Sequence, residues 1–131
     1  MKTVDLRERL IGSPSHPSYY SDNTDCTWTL TNLLSDTSKI KIHFYSFKTK
    51  DAGDKVIITD LFDNTVSQFS GSSIPSDTIS KGKKIKIRFE SDGSGREKGF
   101  VLKYDMTGII YSIITNYNDT SIYCYTIIMI H

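Results

Sequence analysis

Cysteine is scarce in this chain. Cys26 and Cys124 are the only two in 131 residues, so no disulfide framework beyond a single bridge can form. Charge of one sign is also missing: Lys and Arg number 16 against 15 Asp and Glu, a formal net charge of +1. That balance predicts neither a nucleic-acid binder nor an acidic tail. No apolar run reaches the ~18–20 residues that would span a bilayer. The stretch from Gly108 to His131 is rich in Ile, yet Asn116, Asn118 and Asp119 interrupt it, so no stable membrane span is expected. The opening Met1-Lys2-Thr3-Val4-Asp5-Leu6-Arg7-Glu8-Arg9 carries no apolar core of a secretory signal. On composition alone the chain reads as intracellular.

Catalytic sets are absent too. His16, His43 and His131 lie far apart, with no H-E-x-x-H or Cys-x-x-Cys spacing to hold a metal. The many serines include no Gly-x-Ser-x-Gly elbow. No helix N-terminus is available to lower the pKa of Cys26. The expectation is a protein that is not an enzyme.

What the chain does have is alternation. In Lys39-Ile40-Lys41-Ile42-His43-Phe44 and again in Lys84-Ile85-Lys86-Ile87-Arg88-Phe89, apolar and basic side chains fall on opposite faces. Each reads as an antiparallel strand with one face in the core and one in water. Thr27-Trp28-Thr29-Leu30, Val56-Ile57-Ile58 and Phe100-Val101-Leu102 add shorter strands. Clusters of Gly, Asp, Asn and Ser at 51–54, 62–64, 70–73 and 92–95 separate them. The fold class expected is all-β, a sandwich or barrel, with residues 1–9 as an N-terminal segment and one domain over 10–105. Residues 106–131 admit an extra strand, a sticky tail or sequence foreign to the fold, and a tail outside the fold is preferred. The basic strand faces, with Lys39, Lys41 and His43 on one and Lys83, Lys84, Lys86 and Arg88 on the other, read as solvated sheet surface with Lys guarding an edge. Asn118-Asp119-Thr120 is a glycosylation sequon that would work only in a secreted chain.

One ordered set of residues goes further. Ser13-Pro14, Pro17 and Tyr20 are followed by Cys26-Thr27-Trp28, the aromatic pair Phe44 and Phe47, and Asp54. Gly71, Ile74-Pro75, Phe89, Ser91-Asp92-Gly93-Ser94, Gly99-Phe100 and Tyr104 complete it. In order and spacing this set, from about Ser13 to Tyr104, resembles the CUB domain, with His16 where that family usually has Tyr. The resemblance implies an antiparallel jelly-roll-like β-sandwich, an extracellular setting, often within a multidomain protein, and a role in recognition rather than catalysis.

The departures are informative. The family usually has two cysteine pairs. Here the second pair would fall near Ala52-Gly53 and at Ser70, and both members are gone. The partner of Cys26 would lie near or before Met1, which makes the chain read as a piece of a larger protein. A missing bridge costs a small secreted domain about 2–5 kcal/mol.

The resemblance also implies calcium as cofactor. Ca²⁺ needs 6–8 oxygen donors at one place, and by position Tyr20, Asp54 and Asp92 match the family's ligands, with Ser94 offering its carbonyl. The family's Glu falls at Lys50, a cation that opposes Ca²⁺ directly. Asp51 beside it is the substitute if the loop shifts by one residue. The bland alternative is that Asp51, Asp54 and Asp92 merely cap their own turns. The function expected is a non-catalytic, extracellular, calcium-assisted module that binds a protein or a glycan. The competing expectations are a structural fragment with no ligand site of its own and, further off, a small β-sandwich hydrolase.

Overall fold

The computed structural model describes residues 10–32, 39–50, 53–60, 62, 64–80 and 82–105, together with the backbone of 109–113 and 126–130. Every regular element among them is a strand: β1 Leu10–Gly12, β2 Asp25–Asn32, β3 Lys41–Lys48, β4 Lys55–Thr59, β5 Thr65–Phe69, β6 Thr78–Ile79, β7 Lys84–Glu90, β8 Gly99–Asp105, β9 Ile109–Ile113 and β10 Thr126–Ile130. They form a four-stranded sheet, ordered β1-β8-β3-β6, and a six-stranded sheet, ordered β5-β4-β7-β2-β10-β9. The all-β sandwich expected from the alternation is what the chain forms.

The alternation explains the layers. In β2, Cys26, Trp28 and Leu30 turn inward while Thr27, Thr29 and Thr31 stay half-exposed. In β7, Ile85, Ile87 and Phe89 do the same opposite Lys84, Lys86 and Arg88. β-Branched Thr suits the outer pleat, and the large apolar side chains fill the space between the sheets. Strand β3 departs from strict alternation, because its register against β8 shifts between Phe44 and Ser46. That bulge lets Phe44 and Phe47, three residues apart, both enter the core. Phe100 then meets Phe44 of its own sheet at 6.0 Å and, edge-on at 5.8 Å, Trp28 of the other, a contact that joins the two sheets.

Two expectations change. Part of the stretch read as a tail is strand: β10 pairs in parallel with β2, from Thr126 opposite Thr29 to Met129 opposite Asn32, and β9 pairs antiparallel with β10. An uncharged, Ile-rich backbone segment is a good partner for the side of β2 that β7 leaves open. Cys26, whose partner was expected upstream of the chain, is disulfide-bonded. The other cysteine, Cys124, lies outside the described residues. Among the described residues no helix is long and apolar enough to cross a membrane.

Candidate functional site

At one end of the sandwich three connections converge: β1–β2 around Tyr20, β3–β4 around Lys50 and Asp54, and β7–β8 from Ser91 to Lys98. Asp54 immediately precedes β4 and is completely buried. A carboxylate in that position requires partners, and it has them. The Tyr20 hydroxyl donates to its Oδ2 at 2.7 Å, and the Asp92 backbone N–H donates to its Oδ1 at 2.8 Å. One buried side chain thus links all three connections.

Tyr20 is the second anchor. Its ring is buried edge-on against Phe89, with centroids 4.8 Å apart. Its hydroxyl accepts the Lys50 backbone N–H at 3.1 Å, and its own N–H donates to the Glu97 carbonyl at 3.1 Å. Burial, then the hydrogen bond to Asp54, pushes the hydroxyl pKa well above its ordinary value, so the group stays protonated and donating.

The β7–β8 connection is held from within as well. The Asp92 carboxylate accepts the Ser94 N–H at 3.1 Å, the turn-capping pattern of Asp. The Asp92 carbonyl accepts the Asn23 N–H at 2.8 Å, and Ser91 Oγ accepts the Thr24 N–H at 2.8 Å while donating to the Ser21 carbonyl at 2.7 Å.

Tyr20, Asp54 and Asp92, singled out in the sequence, therefore meet in one network. Asp51 lies outside the described residues. The donors that are described do not fit calcium. Both Asp54 oxygens already accept hydrogen bonds, and only Asp92 contributes an exposed carboxylate. The Lys50 ammonium points into the same place, donating to the Ser94 carbonyl at 3.3 Å. No group of three or more His, Cys, Asp or Glu side chains gathers to hold a metal among the described residues.

Sequence reasoning took Lys50 as a repelling charge and missed that its side chain is seated. The overlooked signal is Gly95, whose φ is +83°. A Cβ there would stand 2.0 Å from Lys50 Cδ, so only glycine leaves room for the lysine to cross the turn.

The basic strand faces carry less free charge than their sequence implies. Arg88 forks onto Asp25, Nε to Oδ1 at 2.9 Å and a terminal nitrogen to Oδ2 at 2.8 Å, and also meets Glu90 at 3.3 Å. Asp25 is held below the usual carboxylate range by that guanidinium. Asp77 pairs with His43 Nδ1 at 2.6 Å and with Lys41 at 3.4 Å. A groove of about 520 Å³ runs along the outer face of the six-stranded sheet past Thr27, Thr59, Lys86 and Arg88. It lies away from the loop network, and its Arg88 is already bound to acids of its own sheet.

Comparison with known proteins agrees with this architecture. The family model described as "CUB domain" matches residues 2–104. Human tumor necrosis factor-inducible gene 6 protein is 32% identical over 104 residues, covering 74% of this chain and 37% of that protein. The astacin-like metalloendopeptidase of Gallus gallus is 33% identical over 109 residues, covering 74% of the chain and 25% of the relative. The chain thus spans well under half of these relatives. Among solved structures, the CUB1-EGF-CUB2 region of human MASP-1/3 superposes with a TM-score of 0.67 at 26% identity, covering 76% of this chain and 41% of that one. The MASP-1 CUB2 domain, solved bound to Ca²⁺, gives 0.65 at 25% identity, covering 72% of this chain and 88% of that one.

Proposed function

The chain belongs to the CUB domain family, and from that premise we propose that it is a non-catalytic recognition module whose loop end grips a partner protein. The observation that carries this reading is the network around buried Tyr20 and Asp54, reaching the Asp92 and Lys50 backbones, which ties three connections into one platform. A platform fixed before binding loses little entropy on association. On it stand Tyr19, 55% exposed, and the exposed Lys50 and Asp92. An aromatic side chain beside charges of both signs suits a polypeptide surface. A sulfated glycan would need an excess of positive charge, and here Lys48 is paired with Glu97, Arg88 with Asp25, and Lys41 with Asp77. The calcium-assisted form of the reading is not adopted, because Lys50 stands among the donors.

An extracellular setting goes with this reading, and the disulfide at Cys26 agrees with an oxidising compartment. Absence of catalysis is part of the proposal. The astacin-like relative is a metalloendopeptidase by name, and the chain covers only 25% of it.

The test is a binding screen of the chain against secreted and cell-surface ectodomains. Tyr19→Ala and Asp92→Lys should each weaken a genuine hit about 10-fold or more. Phe62→Ala, at the other end of β4 and 78% exposed, should leave it unchanged. Hits indifferent to Tyr19 and Asp92 would refute the loop-end site, and turnover of ester or glycoside substrates would return the hydrolase reading.

A further inference from the structure

The resemblance calls for a divalent cation at the loop end, and the chain places a cation of its own there. Lys50 leaves β3 at the position of the family's Glu. Its backbone N–H is fixed on the Tyr20 hydroxyl at 3.1 Å. Its side chain then crosses Gly95 and ends with Nζ 3.3 Å from the Ser94 carbonyl, the oxygen that the resemblance assigns to the metal. The crossing is close: a Cβ on Gly95 would lie 2.5 Å from Lys50 Cε and 2.6 Å from Nζ. Of the acceptors around it, both Asp54 oxygens are engaged by Tyr20 and the Asp92 N–H, and Asp92 Oδ1 accepts the Ser94 N–H.

We infer that the Lys50 ammonium is a tethered replacement for calcium. It bridges the β3–β4 connection to the β7–β8 turn and leaves the loop end ordered and calcium-independent. A metal ion would have to displace a covalently attached positive charge whose effective concentration never falls. Because melting temperature registers no partner, this inference and the recognition reading can fail separately.

The experiment is thermal unfolding of the full chain in EGTA and in millimolar CaCl₂, with MgCl₂ as control. The wild-type midpoint should be the same in all three. Lys50→Glu adds a carboxylate where the ammonium was. It should melt below wild type in EGTA and gain about 3 °C or more in CaCl₂, with Asp92→Asn on top of it abolishing the gain. If Lys50→Glu does not fold, Lys50→Asn, a neutral oxygen donor, should show the same gain at smaller amplitude. A calcium-dependent rise in the wild-type midpoint, reversed by EGTA, overturns the proposal. So does a folded Lys50→Glu protein with no calcium response, since Lys50 would then not be what keeps the metal out.

Discussion

Asp54 is the residue on which the loop end depends. A fully buried carboxylate is costly unless each oxygen is satisfied, and here each has one donor. Tyr20→Phe removes one of them while keeping the ring that packs on Phe89. Leaving a buried polar group unpaired costs about 1–3 kcal/mol, and that loss should appear as a lower urea midpoint at neutral pH. The pH dependence gives a sharper check. The folded Tyr20 hydroxyl titrates well above its ordinary value of 10.0, so unfolding releases a group that ionises more readily. Its contribution to stability is complete below pH 10.0 and is lost as pH rises from there toward the folded value. The gap between wild type and Tyr20→Phe should accordingly shrink above that point. Parallel stability curves across the alkaline range would mean that the hydroxyl is not held as described.

At the scale of elements, β1 is only three residues long, yet it closes the edge of the four-stranded sheet. Just past β1, Ser13 extends its hold on β8. The Ser13 N–H donates to the Phe100 carbonyl at 3.0 Å, and Ser13 Oγ accepts the Phe100 N–H at 3.1 Å. Gly99 makes that approach feasible, with φ +81° and a virtual Cβ 1.9 Å from Ser13 Oγ. Ser13→Ala should cost about 1–3 kcal/mol by orphaning a buried N–H. Gly99→Ala should cost more, and Ser13→Ala should not rescue it, because the Ser13 Cβ itself would be only 2.7 Å away. Chemical denaturation of the two single variants and the double variant checks the order. These elements also show what was legible in the sequence. β2, β3 and β7 announce themselves by inward Trp28, Ile42 and Ile87 set between polar neighbours, and β4 and β8 by the short apolar runs around Val56 and Leu102. β1, β5 and β6 do not. β5 buries none of its five residues fully, and β1 and β6 are too short to show a period. At the loop end the ligand-type residues were legible by position. The seat of Lys50 over Gly95 was not, because it depends on a positive φ and a long side chain from a different connection.

At the scale of the whole molecule, the six-stranded sheet has a β2 edge that the first eight strands leave open. Sheet pairing on one side of β2 is supplied by β7, along seven registered residues. On the other side it is supplied by β10, which lies far along the chain and runs parallel. No local pattern reveals a parallel partner so distant, which is why an Ile-rich segment read as a tail. The physical consequence is testable by removing residues 106–131. β1 to β8 keep the aromatic core around Trp28, Phe44 and Phe100, so the shortened chain should retain its near-ultraviolet signature. The eight residues of β2 would then present an open row of backbone donors and acceptors, with Thr side chains alternating outward, and an edge of that kind pairs with copies of itself. The full-length chain should carry Cys26→Ser and Cys124→Ser and the shortened one Cys26→Ser, so that no unpaired thiol cross-links either. Sedimentation velocity should then show the full-length variant monomeric and the shortened one associating as concentration rises. If the shortened chain stays monomeric over the same range, β10 is not what shields β2, and the edge must be blunted by β2 itself.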